Sequence, residues 1–76
     1  MPKKHSSNLP VKFGAVVRSK RLELDWTQDE LAERAALDRS FVSGIERGTR
    51  TVSIVTLEKL AHAFGMRIKD LFKDLC

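Results

Sequence analysis

The feature that most constrains this chain is the spacing of helix start and stop signals between Thr27 and Gly48, TQDELAERAALDRSFVSGIERG. Thr27 and Glu30 have the spacing of a capping box, in which the threonine hydroxyl accepts from a first-turn amide and the glutamate reaches back to the Thr27 amide. A helix therefore starts at Thr27. Trp26 before the cap and Leu31 after it are placed as a hydrophobic staple, and Leu31, Ala32 and Ala35 supply an inward stripe. Asp38, a good N-cap, then announces a second helix after only Ala36 and Leu37.

In that second helix Val42 and Ile45 recur with helical spacing and point inward with Leu37, while Arg39, Ser40, Ser43 and Arg47 form the opposite face. Two short helices, a tight break and an outward polar face are the pattern of a helix-turn-helix. Ala32 and Ala35 allow the two helices to cross closely. Gly44 costs roughly 1 kcal/mol of helix propensity relative to alanine, which leaves two readings open: close helix packing, or access of a partner surface to the backbone.

With 76 residues the chain has one domain and a small core. Its single cysteine, Cys76, excludes an intramolecular disulfide, and no Cys/His set has zinc-site spacing. A second chain is the remaining source of stability. The balance of 14 Lys+Arg to 10 Asp+Glu gives a net charge of +4, which suits a polyanion. It is unevenly spread: residues 1–21 carry Lys3, Lys4, Lys12, Arg18, Lys20 and Arg21 with no acid. Residues 1–8 read as a flexible basic arm and 9–76 as the folded domain. No apolar run is long enough to cross a bilayer and no signal peptide is evident, so a cytoplasmic protein is expected.

Pro10 marks the first turn of a leading helix that is expected to run to about Leu24, with Phe13, Val17 and Leu24 on one stripe and Arg21 on the same side. A core-facing guanidinium needs a partner, and Glu46 at the end of the second motif helix is the best candidate, the alternative being that Arg21 reaches out to solvent or a phosphate. Ser53 caps a fourth helix with Ile54, Leu57, Leu60, Ala61 and Phe64 at helical spacing, and Gly65 stops it. A final helix from about Arg67 offers Ile68, Leu71, Phe72 and Leu75. That apolar surface, with Met66, predicts a homodimer interface, the alternative being that these residues all fold back onto the first and fourth helices.

Catalytic patterns are lacking: no phosphate-binding glycine loop, no GxSxG, no HExxH. His5 lies in the tail, His62 on the fourth helix, and Cys76 has no histidine near it in sequence. Neither an enzyme nor a cofactor or small-molecule ligand is expected. The outward face of the second motif helix suits DNA. Arg39 and Ser40, just after the cap, point at base edges, with Ser43 one turn further; Arg39 can reach guanine O6 and N7 with two bonds. Gln28 at a helix N-terminus, Arg47 and Thr49 are placed to meet phosphates, and Arg50 lies where the groove edge would pass.

Thr27, Gln28, Glu30, Leu31, Ala32, the Val42/Ser43/Ile45 face and Glu46-Arg47-Gly48 resemble the Cro/CI, or XRE, type of helix-turn-helix regulator from bacteria and phages, over Phe13 to Phe72. The resemblance implies an all-α, five-helix, lambda-repressor-like domain whose third helix reads the major groove, as a symmetric homodimer on a palindromic operator. The positions of Arg21 and Glu46 match a family ion pair. LDRSFVSGIERGTR followed by TVSI is similar to the controller proteins of restriction-modification systems. In these, the positions of Arg39, Ser40 and Arg50 face bases, Ser43, Arg47 and Gln28 lie near the backbone or groove edge, and the Gly44 position is also glycine. The basic tail is longer than in their shortest members. Two other readings stay open: an antitoxin-type regulator that binds a toxin and its own operator, and a protein-interaction module of the same fold.

Overall fold

The computed structural model describes residues 8–75. Five helices follow in order: α1 Leu9–Glu23, α2 Gln28–Ala35, α3 Arg39–Arg47, α4 Ile54–Phe64 and α5 Ile68–Lys73, with no strand among the described residues. The expected arm and Cys76 lie outside the described residues, apart from Asn8 at the head of α1.

The helix boundaries follow from local chemistry. At α2 the capping box is complete: Thr27 Oγ1 accepts from the Glu30 amide at 3.1 Å, and the Thr27 amide donates to Glu30 Oε1 at 2.8 Å. Ser53 caps α4 in the same way, its hydroxyl oxygen accepting from the Thr56 amide. Asp38 occupies the N-cap of α3 but makes no side-chain cap bond; its carboxylate instead accepts the Ser40 hydroxyl. Three helices end on a left-handed residue, Gly48 and Gly65 as their sequence suggests, and Ala36 without glycine's freedom, at φ 56°. Its return bond, from the Leu37 amide to the Ala32 carbonyl at 2.8 Å, turns the chain into α3.

The core is closed from all five helices by Val17, Leu31, Val42, Ile45, Leu60 and Leu71, the largest fully buried side chains. Trp26 stacks on Phe64, ring centroids 6.0 Å apart, with the guanidinium of Arg34, on α2, 4.5 Å from the centre of the Trp26 ring. The Trp26 side chain thus bridges α2 and α4, a role its place beside the cap of α2 did not suggest. Lys20 of α1 reaches Asp74 beyond α5 at 3.0 Å, and that hydrogen bond raises the Lys20 ammonium above its ordinary value.

Two apolar positions expected to face inward do not. Leu24 is the exposed C-cap of α1, because the helix ends one residue short of it. Ile54 is 76% exposed, since the first turn of α4 projects past the core and turns Thr56 inward instead.

α1 packs along α3, and Gly14 makes this possible. A Cβ on Gly14 would stand 2.2 Å from the Ile45 carbonyl oxygen and 2.8 Å from that of Glu46. The two backbones touch there. The motif's second helix is thereby held by α2 in front and α1 behind.

Candidate nucleic-acid interface

α3 has two faces of opposite character. Val42, Gly44 and Ile45 are buried, whereas Arg39, Ser40 and Arg47 are exposed and Ser43 is half-buried. Helical periodicity puts Val42 and Ile45 on one side, because i and i+3 share it, whereas Gly44 lies toward the other side and is covered by Thr49 and Arg50. Thr49 and Arg50 follow on the exposed loop after Gly48.

The mount behind this face is an ion-pair network. Arg21 Nε donates to Glu46 Oε2 at 2.7 Å and its Nη2 to Oε1 at 3.0 Å, a two-pronged pairing between α1 and α3. Its remaining prong, Nη1, donates to the Trp26 carbonyl at 2.8 Å. Only 10% of the Arg21 side chain and 4% of the Glu46 side chain is accessible. The hydrogen bond to Glu46 pushes the Arg21 guanidinium further above its already high ordinary value, against the opposing effect of burial. Gln28 Nε2 donates to the same Glu46 Oε1 at 3.1 Å. One amide hydrogen of Gln28 is therefore committed inward and the other is left for an outside acceptor.

The outward residues are also organised. Arg39 Nε meets Asp29 Oδ1 at 3.1 Å, linking the first turns of α3 and α2. The Ser40 hydroxyl is donated to Asp38. Thr49 Oγ1 donates to the Gly44 carbonyl at 3.2 Å, so this hydroxyl closes the end of α3. The Arg50 guanidinium carbon lies 5.5 Å from the centre of the Phe41 ring. Arg39, Ser40, Ser43, Arg47 and Arg50 are thus gathered along α3 and its exit, with Gln28 at the edge of the same motif.

Sequence reasoning missed three contributors. Asp29 pairs with Arg39, and nothing in a spacing of ten residues across a turn announces that. Phe41 went unnoticed beside the arginines. Gly14, in the middle of an otherwise well-formed helix, carried the one available signal, since a mid-helix glycine marks either a cost or a close approach.

The expected dimer surface needs correction. Leu71 is fully buried within this one chain, so it belongs to the core and has no surface to offer a second copy. Met66, Ile68 and Leu75 are half-buried against that core, and among the five expected residues Phe72 alone is exposed. Phe72 also packs on Phe13, ring centroids 6.5 Å apart. The most exposed apolar side chains are Ile54 and Val55, the latter 58% exposed, at the start of α4, followed by Leu9, Val11, Leu22 and Leu24 on or at the end of α1.

No helix among the described residues is long and apolar enough to cross a membrane. Among them there is also no cluster of ligands suited to a metal ion.

Two short helices at a tight turn, the second with one sealed face and one polar basic face, define a helix-turn-helix protein. The chain belongs to that family, whose pattern matches residues 17–71. More particularly, it is 42% identical over 67 residues to the control protein C.BamHI of Bacillus amyloliquefaciens, across 87% of this chain and 83% of that one. It is 36% identical over 70 residues to the control protein C.MunI of a Mycoplasma species, across 91% and 95% of the two chains. In three dimensions it is similar to the restriction-modification controller protein C.AhdI from Aeromonas hydrophila, with TM-score 0.80, 44% identity and coverage of 83% of this chain and 96% of the other. It is similar too to the controller protein C.Esp1396I, whose tetramer has been solved in complex with its natural 35 base-pair operator (TM-score 0.79, 34% identity, 92% and 97% covered).

Proposed function

We propose that this protein is a sequence-specific DNA-binding transcription regulator that acts as a homodimer on a palindromic operator and serves as the controller of a restriction-modification system. The observation that carries the reading is the two-faced α3: its apolar face is sealed against α1 and α2, so its polar, basic face is presented as a rigid surface. An α-helix of this size fits the major groove, where each base pair has a distinct pattern of donors and acceptors. Arg39, Ser40, Ser43 and Arg50 read base edges. Gln28, Arg47 and Thr49 meet the backbone, Gln28 with the amide hydrogen that Glu46 does not hold, and Thr49 with its hydroxyl hydrogen once that is turned from the Gly44 carbonyl to a phosphate oxygen.

Palindromy follows from symmetry, because two copies present α3 twice, about 34 Å apart on one face of the duplex. Ile54, Val55 and Phe72 supply the apolar surface for pairing, in place of the buried Leu71. The kinship with control proteins supports the controller assignment, and the basic net charge supports the polyanionic partner.

Selection of bound duplexes from a random pool, with stoichiometry measured at two salt concentrations, tests the proposal. A palindrome bound by two or more chains, with affinity falling steeply as salt rises, is the expected result. Absence of any enriched sequence refutes the regulator. An enriched palindrome that lies beside genes other than those of a restriction system keeps the regulator and refutes the controller.

A further inference from the structure

Gly44 is an interior residue of a nine-residue helix, where alanine is the better helix former. Space accounts for the glycine. A Cβ there would stand 2.6 Å from Cγ of Arg50, 3.3 Å from its Nε and 3.4 Å from Thr49 Oγ1. The collision is with the root of the Arg50 side chain, which a turn of its tip does not relieve. The Arg50 stem therefore lies across Gly44, and it carries the guanidinium to 5.5 Å from the Phe41 ring centre. Phe41 and Gly44 are three residues apart on α3, hence neighbours on its surface. Thr49, whose amide and hydroxyl both donate to the Gly44 carbonyl, fixes the point from which Arg50 departs.

We propose that Gly44 and Phe41 are positioning residues for Arg50: together they form a seat that holds its guanidinium over the exposed side of α3 before DNA arrives. The inference rests on the reading of α3 as the DNA-reading helix. A ring attracts a guanidinium through its quadrupole and accepts no conventional hydrogen bond, so the fork of N–H donors stays available to guanine O6 and N7. Among the described residues Arg50 has neither an ion pair nor a side-chain hydrogen bond, in contrast to Arg39 on Asp29. Arginine has many rotamers, and a seat that selects one of them spares the complex that ordering on binding. The notion that Gly44 leaves room for a partner surface is replaced: the room is filled by a side chain of the same molecule.

The probe is the duplex most enriched by the wild-type protein, together with copies in which each base pair is replaced in turn. Arg50→Ala is expected to weaken binding by about fivefold to a hundredfold and to erase the preference at one G·C pair per half-site. Gly44→Ala is expected to erase the preference at that same pair. In the Arg50→Ala background, Gly44→Ala is expected to change affinity little and to raise the melting temperature, since the obstruction is gone and the better helix former remains. Phe41→Tyr keeps the seat and the preference, whereas Phe41→Leu loses part of it.

If Gly44→Ala costs the same factor with and without Arg50, or lowers affinity evenly at every base pair, the seat is refuted. Retained preference in Phe41→Leu likewise removes Phe41 from it. If Arg50→Ala changes neither affinity nor preference while the wild-type protein still selects a sequence, the seat falls and the regulator stands. Failure of the wild-type protein to select any sequence overturns both.

Discussion

Arg21→Met removes the centre of the network that fixes α3, and its cost can be worked from the geometry. Exposed ion pairs are worth about 0 to 1 kcal/mol. This pair is of the other kind, with its two side chains 10% and 4% accessible and joined by bonds of 2.7 and 3.0 Å. Removing one partner of such a pair leaves a buried charge without compensation, which costs about 3 to 5 kcal/mol. The Trp26 carbonyl loses its side-chain donor in addition. At about 0.05 to 0.15 kcal/mol per residue, a domain of this length has roughly 4 to 11 kcal/mol of stability in all. The variant is therefore expected to lose a large part of it, lowering the melting temperature by roughly 12 °C or more at about 4 to 8 °C per kcal/mol. The double variant Arg21→Met/Glu46→Leu removes both charges and is expected to recover most of the loss, because well-packed apolar replacements for a buried pair are often neutral or better. Its DNA affinity should stay low, since Gln28 has lost the carboxylate that orients it. Denaturant unfolding at neutral pH, followed by helical signal, measures all three proteins. A loss below about 1 kcal/mol for the single variant would place the pair in the solvent-screened class and refute the reasoning. So would a double variant as unstable as the single one.

Gly14→Ala forces α1 away from two backbone carbonyls that cannot turn aside, and is expected to cost more than the roughly 1 to 3 kcal/mol usual for overpacking, read as a drop in the denaturation midpoint. Ala36→Gly relieves a left-handed conformation that costs an L-residue about 1 to 2 kcal/mol; after the entropy lost by adding glycine, a small net rise in melting temperature is expected. Leu71→Asp is expected to abolish folding, whereas Ile54→Asp is expected to leave the helical content intact and give monomers by sedimentation. Folded, dimeric Ile54→Asp protein would remove the start of α4 from the interface.

The helices were legible because their signals are local. The Thr27/Glu30 box, the Ser53 cap and the glycine stops at Gly48 and Gly65 each act within a few residues, and the periodic Leu31, Val42, Ile45 and Leu60 point inward as spacing requires. The ion pair of Arg21 was legible for a different reason: a charge on an apolar stripe demands a partner, and few acids were placed to answer. What failed depends on where the ends of elements fall in space. Leu71 and Ile54 both have helical apolar spacing, yet the short α5 drops Leu71 into the core while the first turn of α4 carries Ile54 past it. Periodicity tells which side of a helix a residue occupies, but not whether the core extends as far as that turn. The pairs Asp29 with Arg39 and Phe41 with Arg50 were hidden because side-chain partners across a turn follow no fixed interval. Left-handed Ala36 was hidden because its residue type argues against the conformation it adopts.

The bond between Arg39 and Asp29 has a thermodynamic consequence. Both groups are largely solvent-exposed, 66% and 74%, so the pair is weak and opens readily. Yet while it lasts, the arginine does not rely on dissolved anions to balance its charge. Docking on DNA then becomes an exchange of one tethered acceptor for another. The steep salt dependence of DNA binding comes from cations that phosphate-neutralising side chains free from the duplex, and on the proposed reading Arg39 meets base edges instead, so its exchange of a carboxylate for a base frees few of them. Arg39's share of the binding energy is accordingly less salt-dependent than that of Arg47, and the contrast between correct and incorrect sequences sharpens as ionic strength rises.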